Sequence, residues 1–396
     1  MDKYKIGLVS LGCPKNEVDA EVMLKKLSEA GHEICDDPAQ CDLVIINTCG
    51  FLESAKQEAI DNIFEIAEYK GNSNLKKIIV SGCFSGRYSQ VIYDEMPEVD
   101  AVLGISQYPD IAEHVERALS GERYICAQIN EHLSGMPGRV LTTPKHRAYL
   151  KIAEGCSNNC TYCAIPKIRG KMRSRSADEI IQEAESLISE GVKEITLVAQ
   201  DTTRYGMDIG ENLDVLLDRI AAIDSKVWIR VLYMYPEMIT DELIAVYKKY
   251  DNICNYMDIP LQHVSDSVLK RMNRHSDHNG IVKTYNKVRR ELPGATLRTT
   301  YITGFPGETQ EDFDKLCKFI HDYPFDNVGV FSYSREEGTP AYRMKNQIKD
   351  SVKDERRDLL LQYQSQISEK LMQQRIGKTY KVLIDDYQDG YYFGRS

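Results

Sequence analysis

The chain has 396 residues, 42% of them hydrophobic, with 50 lysines and arginines against 60 aspartates and glutamates and a formal net charge of −10 at pH 7. The length suggests two or three domains, and the acidic balance, with a pI near 5.5, argues against a broad electrostatic footprint on nucleic acid and suits a basic protein partner better. No secretory apolar region follows Met1 and no apolar run approaches the ~18 residues that cross a bilayer, while the clustered members of eleven cysteines read as metal-binding or catalytic thiols, so a cytoplasmic protein with neither membrane nor DNA as partner is expected.

Strands and helices alternate along the chain. Residues 4–11 read as a strand, 17–30 as an amphipathic helix stopped by Gly31, 42–48 as a strand, 53–69 as a helix and 75–82 as a strand. Each strand runs into a cysteine. Cys13, Cys49 and Cys83 are 36 and 34 residues apart, about one βαβ repeat of ~30 or more residues. Successive parallel strands would therefore deliver them to one edge, where open α/β sheets place their ligands. On spacing alone, three unrelated loop cysteines are an equal alternative. Cys35, Cys41, Cys126, Cys254 and Cys317 share no such pattern and are expected as small buried hydrophobes.

After Ala127 the pattern loosens into turn-forming residues over 130–138 and 142–147, which is linker chemistry. A second α/β region follows, with strands at 148–153, 194–199, 227–232, 256–260, 296–303 and 327–333. Its helical segments start at Ala177, Leu213, Asp241, Ser265 (running to Arg290) and Gln310. Six β/α steps make a partial TIM-like barrel, whose chemistry belongs at the carboxyl ends of the strands. Residues 350–374 read as a long amphipathic helix and 378–394 as two short strands around the turn at Gln388-Asp-Gly. The expected domains are 1–128, a linker at 129–144, 145–374 and 375–396.

Directly after the first barrel strand stands Gly155-Cys-Ser-Asn-Asn-Cys-Thr-Tyr-Cys163. Three thiolates this close share one inorganic partner. A four-iron cube is normally held by four cysteines, so Cys156, Cys160 and Cys163 alone leave one iron open to a small-molecule ligand, which points to catalysis. A zinc site would need a fourth protein ligand and usually shows paired Cys-x2-Cys clips. The spacing, with Tyr162 before the last thiol, resembles the way radical S-adenosylmethionine enzymes hold a 4Fe-4S cluster whose free iron chelates the cofactor's amino and carboxylate groups.

Other strand-end residues carry two readings each. Gln200 and Asp201 end the second barrel strand, where they would hold the cofactor's ribose or amino group, or cap a helix. Arg298 would meet a carboxylate bidentately, or form an ion pair inside the barrel. In Gly304-Phe-Pro-Gly-Glu308 the glycines, Gly304 and Gly307, would let the backbone approach a ligand, with Glu308 beside it, or serve an ordinary turn. His263 reads as a satisfied polar residue. Lys167, Arg169, Lys171, Arg173 and Arg175 occupy every second position, which in an extended segment puts them on one side, either to steer an anion or as a solvated edge.

Residues 156–163 with Ala-Ile-Pro166, Ser10-Leu-Gly-Cys-Pro-Lys-Asn16, Asn47-Thr-Cys-Gly-Phe51, Ser81-Gly-Cys83 and Gly304-Phe-Pro-Gly-Glu-Thr309 together resemble the radical methylthiotransferases, over essentially the whole chain. The resemblance implies a second 4Fe-4S cluster on Cys13, Cys49 and Cys83, two molecules of S-adenosylmethionine, and an exogenous sulfide or persulfide on the auxiliary cluster. It also implies an adenine contact for Tyr162, an external reductant such as flavodoxin, and a carboxyl-terminal β domain of the TRAM type, of which only about two strands fit after Lys378. Cys49-Gly-Phe-Leu-Glu-Ser-Ala55, Asp258-Ile-Pro-Leu-Gln-His263 and Phe331-Ser-Tyr-Ser-Arg-Glu-Glu-Gly-Thr339 are similar to the branch that modifies an aspartate of ribosomal protein S twelve, free or on the small ribosomal subunit. The alternative is the branch that methylthiolates isopentenyladenosine in tRNA. An aspartate β-carbon has no leaving group and a C–H bond too weakly acidic for a side-chain base, so a radical route is expected, carried by cofactors the protein positions.

Overall fold

The computed structural model describes residues 3–130 and 138–396; the expected linker at 129–144 lies partly outside the described residues. In the first region, β1 (Lys5–Ser10) leads into α1 (Pro14–Glu29), then β2 (Glu33–Ile34), β3 (Leu43–Thr48), α2 (Glu53–Ala67), β4 (Lys77–Gly82), α3 (Cys83–Glu95), β5 (Ala101–Leu103), α4 (Ile111–Leu119) and β6 (Tyr124–Cys126). The six strands are all parallel, in the order β2-β1-β3-β4-β5-β6. Every residue of β3 is buried, as a strand covered on both faces requires. Leu43 and Ile45 pack under α1 and α4 with Met23, Leu27 and Val115, while Val44 and Ile46 pack on the other face with Ile63, Ile78 and Ile92. Helix α1 begins earlier than its apolar periodicity suggests, because Cys13 takes the extended N-cap conformation and Pro14 the first turn.

The second region contains β7 (Arg147–Lys151), β8 (Ala153–Glu154), α5 (Ile165–Ile168), β9 (Arg173–Ser174), α6 (Ala177–Ser189), β10 (Glu194–Val198), α7 (Leu213–Ala221), β11 (Trp228–Val231), α8 (Asp241–Lys249), β12 (Tyr256–Asp258), α9 (Asp266–Arg271), α10 (His278–Glu291), β13 (Thr296–Thr303), α11 (Gln310–Asp322), β14 (Asn327–Ser332) and α12 (Asp350–Gln373). Two parallel three-stranded sheets, β7-β10-β11 and β12-β13-β14, are joined by a parallel bridge between Ile229 and Ile253. Among the described residues no ladder joins β14 to β7, so the barrel is partial, and α12 covers β14 with Leu360 and Ile367 in the core.

The single helical segment expected from Ser265 to Arg290 is broken into α9 and α10. Asn273 takes φ 57° in the break, and Asp277 caps the new helix through Gly280 N. At the carboxyl end, β15 (Leu383–Gln388) and β16 (Tyr391–Arg395) form an antiparallel hairpin, tied to the barrel by Arg395 on Glu194 at 2.7 Å and His146 on Asp385 at 2.7 Å. Among the described residues no helix is long and apolar enough to cross a membrane.

Candidate functional site

Strands β1, β3 and β4 are neighbours in the sheet, and their carboxyl ends carry Cys13, Cys49 and Cys83. Cys13 caps α1 and Cys83 opens α3. The three loops approach so closely that two glycines are required. Gly12, at φ 102°, faces Cys49, whose Cβ lies 2.8 Å from where a Cβ on residue 12 would stand; at Gly82, φ 100°, a Cβ would collide with Thr48 O. Asn16, 1% exposed, fastens the loops: its Nδ2 donates to Leu11 O (3.1 Å) and Thr48 O (3.0 Å), and Asn47 Nδ2 donates to Asn16 O (2.7 Å). Burial pushes the Cys83 thiol up to about 12 and the Cys49 thiol above its ordinary range, with the nearby Cys13 adding to both. Burial acts upward on Cys13 too, but Lys15, Arg169 and the backbone N–H groups at the start of α1 outweigh it and hold that thiol low.

The second set comes from one loop. Cys156, Cys160 and Cys163 lie between β8 and α5. Gly155, φ 74°, packs so tightly on the backbone of Lys171 that a Cβ would collide with its carbonyl, and Cys156 N donates to Gly170 O at 3.1 Å. On the far side, Thr161 N donates to Met272 O at 3.0 Å and Thr161 Oγ1 to Arg271 O at 2.7 Å, fixing the loop to the break after α9. Asn158 Nδ2 stands 3.6 Å from Cys156 Sγ and 2.7 Å from Asp201 Oδ2. Arg274 Nη1 stands 3.9 Å from Cys160 Sγ with its guanidinium 4.0 Å over the Tyr235 ring, and Tyr235 OH lies 3.6 Å from the same sulfur. Burial pushes Cys163 up to about 12 and Cys156 above its ordinary range.

Each set thus offers three thiols and N–H donors aimed at sulfur. A four-iron cube takes each thiolate on a different iron and is tuned by hydrogen bonds to its sulfurs, which three thiols with N–H groups beside them fit, whereas a structural zinc would take a fourth protein ligand.

Arg169, 1% exposed, stands between the sets. Its Nε lies 3.3 Å from Cys83 Sγ, Nη1 donates to Glu154 Oε2 at 2.7 Å, and Nη2 meets Asn16 Oδ1 and, at 3.3 Å, Asp19 Oδ2. Lys151 completes the group on Asp19 and, at 3.1 Å, on Glu154. Two buried cations and two buried carboxylates neutralise one another, the arrangement a dry interior requires. Glu154 is buried, yet Arg169 and Lys151 hold it far below the usual carboxylate range. Its Oε1 accepts from Gly155 N at 3.0 Å and Gln200 Nε2 at 3.2 Å, so the network runs from Cys83 to the residue before Cys156. Sequence reasoning missed Asp19, Lys151 and Glu154. It also took the alternating basic run as one side of an extended segment, whereas residues 165–168 are helical, Arg169 is buried, and buried Arg175 pairs with Glu183 at 2.6 Å.

Tyr162 is half-buried and packs with Val268, Met272, Phe305 and Tyr333. Asp201 caps the turn after β10, accepting from Thr203 N (3.1 Å) and Thr203 Oγ1 (2.6 Å) besides Asn158, so its oxygens serve the capping alternative. Gln200 Oε1 is buried without a hydrogen-bond partner among the described residues. Arg298 donates to Asp258 Oδ1 at 2.7 Å, the ion-pair alternative, although its side chain stays 34% exposed.

The Gly304 loop is tied to α12. At φ 71°, the space of the missing Cβ is filled by the Lys353 side chain, and Glu308, 4% exposed, accepts from Gly304 N (2.9 Å) and Arg356 Nη1 (2.6 Å). These two residues brace β13 against α12; Gly307, φ 79°, sits beside the Arg271 guanidinium. His263 is buried and only half satisfied: Nδ1 accepts from Ser265 N at 3.0 Å, while Nε2 stands 3.6 Å from Glu308 Oε2 with no hydrogen-bond partner among the described residues. Of the cysteines expected as buried hydrophobes, Cys41 is fully buried, while Cys35, Cys126, Cys254 and Cys317 are half-buried.

Two known families match in tandem, Uncharacterized protein family UPF0004 over residues 5–104 and the Radical SAM superfamily over residues 150–320. Among solved structures, the radical S-adenosylmethionine methyltransferase TsrM from Kitasatospora setae is similar at a TM-score of 0.64 and 14% identity, covering 86% of this chain and 74% of that one. The cobalamin-dependent S-adenosylmethionine radical enzyme OxsB is similar at 0.58 and 14%, covering 93% and 56%; both likenesses concern the fold. Relatives closer in sequence run end to end. Ribosomal protein uS12 methylthiotransferase RimO of Clostridioides difficile (strain 630) is 50% identical over 99% of this chain and 89% of its own length, and that of Clostridium novyi (strain NT) is 48% identical over 100% and 89%. Sharing 50% of its residues with such an enzyme over 99% of its length, the chain belongs to the RimO family of ribosomal protein uS12 methylthiotransferases.

Proposed function

We propose that this radical S-adenosylmethionine transferase replaces a β-hydrogen of an aspartate in ribosomal protein uS12 with a methylthio group. In this reading Cys156, Cys160 and Cys163 hold the 4Fe-4S cluster that binds S-adenosylmethionine, and Cys13, Cys49 and Cys83 hold a second. The observation that carries it is the pairing of two three-thiol sets across one buried ion network, in a chain of this family. The tRNA-modifying alternative is not favoured.

When bound, the clusters and S-adenosylmethionine supply what side chains cannot: reductive formation of a 5′-deoxyadenosyl radical, hydrogen abstraction, and a methylated sulfur derived from exogenous sulfide or persulfide. The chain supplies placement. Asp201 orients Asn158, whose amide meets Cys156 Sγ, and Arg274 covers Cys160. Tyr162, half-buried against the buried Phe305 and Tyr333, is assigned to the adenine. Arg298, held on one side by Asp258 and 34% exposed, is assigned to the substrate carboxylate. Residues 1–128 are taken as the sulfur-supplying unit, 145–374 as the radical-generating unit and 375–396 as a substrate-binding β segment. A flavodoxin-like reductant and a cytoplasmic, ribosome-associated setting complete the reading.

The test offers anaerobically reconstituted enzyme, with reductant, S-adenosylmethionine and sulfide, both uS12 and tRNA containing isopentenyladenosine. Mass spectrometry should find one methylthio group on the aspartate and none in the tRNA. Modified tRNA with unmodified uS12 would overturn the assignment.

A further inference from the structure

We infer that Arg169, a residue of the barrel, is the positioning and charge-setting residue of the amino-terminal cluster, raising its reduction potential through an N–H···S contact with Cys83. The inference rests on the assignment of Cys13, Cys49 and Cys83 to that cluster. Arg169 is fully desolvated and reaches from the barrel to one of these thiols: Nε stands 3.3 Å from Cys83 Sγ. Its remaining nitrogens are committed to Glu154, Asn16 and Asp19, so the fork is locked in one orientation and cannot swing away. Asn16 is the same residue that ties the Cys13 loop to Thr48, one residue before Cys49. A single guanidinium is therefore connected to all three ligand-bearing loops.

Hydrogen bonds to cluster sulfur and nearby positive charge stabilise the reduced, more negative state of an iron–sulfur centre and raise its potential. Glu154 and Asp19 balance the guanidinium's charge, so the N–H···S contact carries the effect, and the low local dielectric strengthens it. At the barrel loop the corresponding cation is set back. Arg274 Nη1 is 3.9 Å from Cys160 Sγ, with Nη2 on Pro260 O at 2.8 Å and the plane over Tyr235. The radical-generating cluster must lie toward the low end of the range of about −700 to +450 mV, so the closer cation belongs to the cluster that does not have to give up its electron to S-adenosylmethionine. The Arg169–Glu154 contact also fixes the distance between the two loops, because Glu154 Oε1 holds Gly155 N.

The experiment uses the full chain with Cys156, Cys160 and Cys163 changed to alanine, reconstituted anaerobically, and follows the amino-terminal cluster by iron analysis and electron paramagnetic resonance redox titration. About four irons per chain are expected with Arg169 in place; a chain that takes up no cluster would sink the ligand assignment itself. In the same background Arg169→Gln should lower the midpoint potential, and Arg169→Lys, which keeps the charge but loses the planar fork, should fall between. Should Arg169→Gln not hold a cluster, Arg169→Lys decides. A midpoint unchanged by the substitutions overturns the proposal. So does an equal shift of the barrel-loop cluster when Arg169→Gln is placed with Cys13, Cys49 and Cys83 changed to alanine.

Discussion

The two thiol sets are built in opposite ways. Cys156, Cys160 and Cys163 come from one loop, so that a local turn, Cys163 N on Cys160 O at 3.0 Å, already brings two of them together. Cys13, Cys49 and Cys83 come from three strands, and only the completed sheet puts them side by side. A loop site depends on its own few residues and what they lean on, here Met272 and Arg271. A three-strand site depends on the register of β1, β3 and β4 and on the inter-loop bonds of Asn16. The difference suits a division of labour: the loop follows the first strand of a partial barrel, whose carboxyl ends carry the chemistry, while the sheet holds its thiols in a separate region joined through Arg169.

The largest effect should come from removing one thiol of each kind. Cys156→Ala should abolish formation of 5′-deoxyadenosine from S-adenosylmethionine, measured chromatographically, because the loop offers no spare ligand. Cys49→Ala should retain that cleavage yet give no methylthiolated uS12. If both variants lost cleavage equally while keeping their fold, the comparison would collapse into one interdependent centre.

The two sets also differ in how far the residues alone disclosed them. Parallel strands recurring at one βαβ length predict that Cys13, Cys49 and Cys83 end up on neighbouring strand ends, because strand polarity is fixed by the crossover; the structure places them there. The surroundings were illegible for physical reasons. Arg169 is tolerable in the interior only because Asn16 and Asp19, about 150 positions earlier in the chain, and Glu154 meet it there, and no local pattern announces partners so distant. Gly304 carries no local sign that Lys353, 49 positions on, fills the space of its missing Cβ. The break between α9 and α10 carries local signals, Asn273 in left-handed backbone and Asp277 as the cap of the next helix, which the apolar pattern on both sides hid, and Thr161 on Met272 O uses it. Asp201 was legible as a pair of alternatives, and its capping contacts are present because the hydroxyl and amide donors lie within two residues.

A smaller effect separates the sites through their glycines. Gly82→Ala forces a side chain into left-handed backbone against Thr48 O, and Gly155→Ala does the same against Lys171 O. Each should cost about 3 kcal/mol or more locally. Gly82→Ala should lower iron from about eight to about four per chain with S-adenosylmethionine cleavage intact. Gly155→Ala should lower iron similarly but abolish cleavage. Loss of both activities in Gly82→Ala would mean that the strand-end geometry supports the loop as well.

The smallest effect concerns the contact that seats the barrel on the Cys49 loop. Glu336, 3% exposed, accepts from Glu53 N at 3.0 Å and Ser334 Oγ at 2.7 Å, and pairs with Arg87 at 3.0 Å and Lys56 at 3.3 Å. Arg87 also donates to Gly50 O at 3.0 Å, next to Cys49. Burial acts to raise the Glu336 carboxyl, but Ser334, Lys56 and Arg87 outweigh it and hold the group below its ordinary value of 4.5. A depressed acid binds fewer protons folded than unfolded, so its contribution is fully present above pH 4.5 and lost as pH falls through the folded value. Glu336→Gln should therefore cost ~1–3 kcal/mol at neutral pH, and the gap between the denaturation midpoints of parent and variant should narrow in acid. Parallel loss of stability through that window would show that Glu336 is not the acid-sensitive tie, and that the three-strand site is seated by its own bonds alone.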